Sequence, residues 1–137
     1  MAKMGRLFKK KEIFRVKSLP VDPLCMEEPS TVDEFQRRGM AFYARKEYSA
    51  AEDDLNKAIL LSGSNIDSLY SLGMVLKAMN RKKDSVAAFK QVLDLIMAKP
   101  GVEKTKYDML RRLALGHINI MTQGDWNLEK EIWQHTA

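Results

Sequence analysis

Phe35-Gln36-Arg37-Arg38-Gly39-Met40-Ala41-Phe42 and Leu69-Tyr70-Ser71-Leu72-Gly73-Met74-Val75-Leu76 are the two stretches whose comparison decides the fold. Their glycines stand 34 residues apart. Each glycine has a bulky residue four positions before it and another three after it. That spacing predicts one apolar helix face in each stretch. Each stretch runs into a polar break, Arg45-Lys46-Glu47 in the first and Asn80-Arg81-Lys82-Lys83 in the second. A second periodic run follows each break. The first runs from Tyr48 through Ala51, Leu55, Ala58 and Ile59 to Leu61, and the second holds Val86, Phe89, Val92, Leu93 and Ile96.

The edges of these units carry start and stop signals. Ser30-Thr31-Val32-Asp33-Glu34 offers a hydroxyl to cap a free amide, and acids for the positive end of a helix dipole. Ser62-Gly63-Ser64-Asn65 and Pro100-Gly101 supply turn chemistry. A third round holds Met109, Leu113, Leu115, Gly116 and Ile120, a break at Gln123-Gly124-Asp125, then Trp126, Leu128, Ile132 and Trp133. The reading is three helix–turn–helix units at about 31–64, 65–100 and 103–135.

These residues resemble the tetratricopeptide repeat, whose period is about 34 residues. The resemblance covers about residues 31–135. It implies an all-α, right-handed α-solenoid of about three antiparallel helix pairs. In that family a glycine on the first helix lets the second approach, and a small residue twelve positions later fills the contact. Ala51 holds that position in the first unit. The chain departs from the pattern at Arg38, where Leu is usual, and at Ser85, where Ala is expected. Gly116 lies 43 residues after Gly73, nine beyond the period. Leu128 stands at the small position of the third unit, and Asn119 replaces its large residue. Extended helices or a longer loop around residues 99–106 are expected, with the last pair packing at a different angle as a terminal cap.

The resemblance also implies a concave groove lined by the first helix of each pair. The lining positions are Gln36, Met40 and Tyr43, then Tyr70, Met74 and Lys77, then Leu113, His117 and Ile120. Leu113 and Ile120 are the members most expected in the core. The set is mainly apolar and aromatic, which suits capture of an apolar or amphipathic protein segment, most simply a helix. Methionine adapts to irregular partners, and tyrosine adds area with a polar tip. One branch of the family grips chaperone C-terminal carboxylates with cations at set positions. Those positions read Gln36, Met40, Ser71, Leu110 and Ala114 here. None is a cation, so that activity is not expected.

Charge separates the first residues of the chain from its body. The 137 residues carry a net +5, yet residues 1–18 alone carry +6. Lys3, Arg6, Lys9, Lys10, Lys11, Arg15 and Lys17 there face only Glu12, so the remaining 119 residues sum to −1. Residues 1–30 show no sustained helical period, and Pro20, Pro23 and Pro29 punctuate them. They read as a basic, flexible leader, with a short alternating stretch at Lys11–Lys17, ahead of a repeat domain over 31–137. Such a leader could engage nucleic acid or an anionic membrane. It could also fold back into the groove. A homo-oligomer through Trp126 and Trp133 is a further expectation.

Catalytic and cofactor chemistry has little to rest on. One cysteine, Cys25, and two histidines, His117 and His135, give no metal-ligand spacing and no disulfide. The glycines are isolated, with no phosphate loop. Glu52, Asp53 and Asp54 read as a solvated convex face. No stretch reaches the length of a membrane span or a signal peptide. The expectation is a non-enzymatic, cofactor-free, cytoplasmic binding module.

Overall fold

The computed structural model describes residues 22–98, 103–126 and 128. Five α-helices follow a one-turn 3-10 helix at Pro23–Cys25: α1 Val32–Ala44, α2 Tyr48–Leu61, α3 Ile66–Ala78, α4 Lys82–Ala98 and α5 Lys104–Gln123. No strand occurs among the described residues. Neighbours in sequence pack on one another, and α1 also meets α3. This is the pairwise stacking expected of a helical repeat.

The 34-residue period is written into the backbone as well as the side chains. Thr31 and Asn65 are the N-caps of α1 and α3, accepting from the Glu34 and Ser68 amides at 3.2 and 2.8 Å. Thr31 and Glu34 complete a reciprocal cap, because Glu34 also takes bonds from the Ser30 amide and the Thr31 hydroxyl. Lys46 and Asn80 end the first helices of the two units in the left-handed region, at φ 62° and 61°. The amides around them repeat as well: Glu47 donates to the Phe42 carbonyl and Arg81 to that of Leu76, both at 2.9 Å.

Each interface between paired helices is built over a glycine. A Cβ on Gly39 would lie 3.0 Å from Leu55, and one on Gly73 would lie 2.8 Å from the Phe89 ring. Leu55 and Phe89 are fully buried and occupy the same place in their repeats. Ser85, the departure from alanine, is also fully buried and donates its hydroxyl to the Gly73 carbonyl at 2.7 Å. One apolar cluster forms around Ala51, Leu55 and Val75. A larger one joins Ile66, Leu69, Phe89, Val92, Ile96, Leu110 and Ala114, tying α3, α4 and α5 together.

Arg38, the other departure, has its own partner. Its guanidinium grips Asp54 with two parallel bonds, Nε to Oδ2 at 2.7 Å and Nη2 to Oδ1 at 2.8 Å. Asp54 is buried, not on the solvated face where the sequence places it. The matching residues of the second unit are Leu72 and Ala88, so an ion pair stands where the other repeat has two apolar side chains. Glu52 is engaged too, holding Arg81 at 2.7 Å and linking α2 to the start of α4.

The extra nine residues before Gly116 are mostly helix. α4 runs three residues longer than α2, the connection to α5 gains one, and α5 carries five more ahead of its glycine than α3 does. Residues 22–30, read from the sequence as part of a flexible leader, close on α1 instead. Pro23 and Pro29 are buried, Asp22 pairs with Arg45 at 2.6 Å, and Glu28 reaches Arg38 at 3.4 Å. Prolines need no amide partner, which lets this irregular segment lie against a helix at little cost. The second helix expected for the third unit lies outside the described residues, apart from Trp126 and Leu128.

Candidate functional site

Gln36, Met40 and Tyr43 on α1 fall at the same repeat positions as Tyr70, Met74 and Lys77 on α3. All six are partly buried. Their helices touch, and on each helix the three positions flank the interface glycine. Tyr43 packs its ring body on the Ala51–Leu55–Val75 cluster and sits 5.7 Å from the Tyr48 ring. Tyr70 and Met74 pack on the larger cluster, with Tyr70 edge-on to Phe89 at 5.5 Å. Burial raises the Tyr70 phenol above its ordinary value, with a smaller push from the neighbouring Tyr43. These side chains anchor their bodies in the core and keep part of their surface open.

The third set behaves differently. His117 is buried, while Ile120 is 40% exposed and Leu113 only partly covered. That reverses the expectation that Leu113 and Ile120 would be the core members and His117 a groove residue. Leu110, Ala114 and Ser71, taken from the sequence as groove positions for a carboxylate grip, are buried too. The reason is the phase of α5. Its inward stripe is Tyr107, Leu110, Ala114, His117 and Met121, spaced at alternating three and four residues. Gly116 does not set that face. It makes room for Trp126, whose indole occupies the space of a Gly116 Cβ. The chain reverses at Gly124 (φ 82°), and the Asn119 amide then holds the Trp126 carbonyl at 3.0 Å.

His117 is the best-determined polar group in this region. Its ring stacks on Phe89 at 5.0 Å and 13°, and Trp126 closes over it edge-on at 4.9 Å. The Lys77 ammonium lies 3.0 Å from Nδ1 and the Tyr70 hydroxyl 3.3 Å from Nε2. Lysine has only donors, so Nδ1 accepts. The ring proton of the neutral imidazole therefore sits on Nε2 and is donated to the Tyr70 oxygen. Burial, and next the Lys77 charge, push the imidazole down to about 4. At neutral pH His117 is uncharged and works as a fixed hydrogen-bonding bracket.

The basic leader residues Arg6, Lys9, Lys10, Lys11, Arg15 and Lys17 lie outside the described residues, as does Trp133. Among the described residues no group of three or more His, Cys, Asp or Glu is placed to hold a metal, and no helix is long and apolar enough to cross a membrane.

Stacked antiparallel helix pairs in 34-residue phase define a helical-repeat protein. Residues 66–96 match the family model described as Tetratricopeptide repeat. That match spans α3 and most of α4, the unit built over Gly73, so this segment is similar to a tetratricopeptide repeat. No curated protein matches the chain.

Proposed function

We propose that this chain is a non-enzymatic protein-interaction module, a cytoplasmic adaptor or assembly scaffold. It holds an apolar or amphipathic segment against a strip on α1 and α3. The observation that carries this reading is the repetition itself. Met40 and Met74, with Gln36, Tyr43, Tyr70 and Lys77, recur at equal positions on touching helices and keep part of their surface in water. Two adaptable methionines and two amphipathic tyrosines make a surface suited to a helical guest.

The test compares the intact chain with a Met40→Glu, Met74→Glu double variant in pull-downs from native extract. The intact chain is expected to retain a protein partner, and the variant to lose it while keeping its helical circular dichroism. Equal retention by both would refute the strip as the binding surface.

A further inference from the structure

Lys77 is the feature of the strip that packing alone does not explain. Its equivalent in the first unit is Tyr43, which carries no charge. The acids in the described ion pairs are taken up by Arg38, Arg45, Arg81 and Lys106. Lys77 has no carboxylate within ion-pair distance among the described residues. Its recorded polar contact is His117 Nδ1. One ammonium proton is spent there, leaving two donors and a full positive charge. The bracket behind it is rigid: His117 is stacked on Phe89, capped by Trp126 and tied to Tyr70. A long, flexible side chain is thereby held at one place on a partly dry, apolar strip.

We propose that Lys77 reads a carboxylate on the guest: it takes one Asp or Glu side chain carried on the apolar face of a bound amphipathic helix. This rests on the strip being the binding surface and adds the chemistry of the partner. A charge-assisted bond at the edge of an apolar surface is stronger and more directional than one in open water. With a charge on α3 and none at the matching place on α1, the acid fixes the register and direction of the guest along an otherwise repetitive surface. Lys77 makes the contact. His117 acts through it as a positioning residue.

A displayed library of amphipathic helical peptides, panned against the full chain, tests this. Peptides that bind and are lost on the Met40→Glu, Met74→Glu variant are expected to share one acidic residue at a fixed register. Changing that residue to Gln should weaken binding to the intact chain about tenfold, and to Lys77→Met hardly at all. His117→Phe keeps a ring on Phe89 but removes the bracket. It should weaken the acidic peptide several-fold and leave its Gln form unchanged, a split that loss of structure would not produce. Strip-dependent peptides without acid preference, or with the same preference on Lys77→Met, overturn the carboxylate reading and leave the binding surface standing. If no selected peptide depends on Met40 and Met74, both readings fall.

Discussion

Replacing Asp54 with alanine removes half of a buried ion pair and leaves Arg38 behind. The Asp54 side chain is 3% exposed and that of Arg38 15%. Breaking such a pair costs about 3–5 kcal/mol, because one charge is left buried and uncompensated. The two single variants should differ. Arg38 without Asp54 keeps Glu28 at 3.4 Å and some access to water, which puts Asp54→Ala near the lower figure. Asp54 without Arg38 has neither, so Arg38→Leu belongs near the upper one. The second unit carries neutral side chains, Leu72 and Ala88, at the matching places. The double variant Arg38→Leu, Asp54→Ala copies those residues, and its net cost should fall within about 1 kcal/mol of the parent. Urea unfolding at pH 7 measures all four proteins, and the cycle should return a coupling of about 7 kcal/mol, the two single costs less that of the double variant. Single variants costing less than about 1 kcal/mol would refute the reasoning. So would a double variant as unstable as the sum of the singles.

Three further outcomes follow from the same repeat geometry. Gly73→Ala drives a methyl group into the fully buried Phe89 ring and should cost about 1–3 kcal/mol by thermal unfolding, whereas Gly39→Ala meets the more yielding Leu55 and should be close to neutral, its strain offset by about 1 kcal/mol of helix propensity. The folded His117 imidazole is depressed to about 4 from an ordinary 6.5, so its contribution is present above pH 6.5 and is lost as pH falls from there toward 4. Between pH 7 and 5 the parent should lose about 2 kcal/mol more stability than His117→Phe in urea titrations at the two pH values, and equal losses would contradict the buried neutral ring. Lys46→Gly relieves a left-handed residue and should raise stability by about 1 kcal/mol, while Asn80→Gly should change it less because asparagine tolerates that region; thermal melts of the two variants decide the order.

The helix pairs of the first two units are legible because each depends on one residue type at one spacing. Gly39 and Gly73 announce a close approach, and Leu55 and Phe89, sixteen positions on, are the bulky groups that fill it. The Arg38–Asp54 pair escapes such a reading. Each residue alone looks like a surface charge, and only the juxtaposition of α1 and α2 makes them a pair. Their shared offset of sixteen, the same as Gly39 to Leu55, is the signal that could have matched them. The third unit fails for a different reason. Gly116 resembles the interface glycines and gives its space to Trp126, but positions counted from it bury His117 and leave Ile120 exposed. The stripe Tyr107, Leu110, Ala114, His117 and Met121 gives the true phase and was present in the sequence. The bracketing of Lys77 by His117 was not legible in the sequence, because it needed three helices in place.

The 34-residue recurrence of caps, left-handed turns and glycine contacts has a consequence for how this chain can lengthen. A copied segment cut at one phase of the repeat and pasted at the same phase finds its neighbours already prepared on both sides. The join between Ser62 and Asn65 is such a place, since Asn65 caps the helix that follows just as Thr31 caps the first. Ahead of Thr31 the same graft would first have to displace Pro23, Pro29 and the Asp22–Arg45 and Glu28–Arg38 pairs. Growth by tandem duplication is therefore favoured at the join between the two units and opposed directly ahead of Thr31.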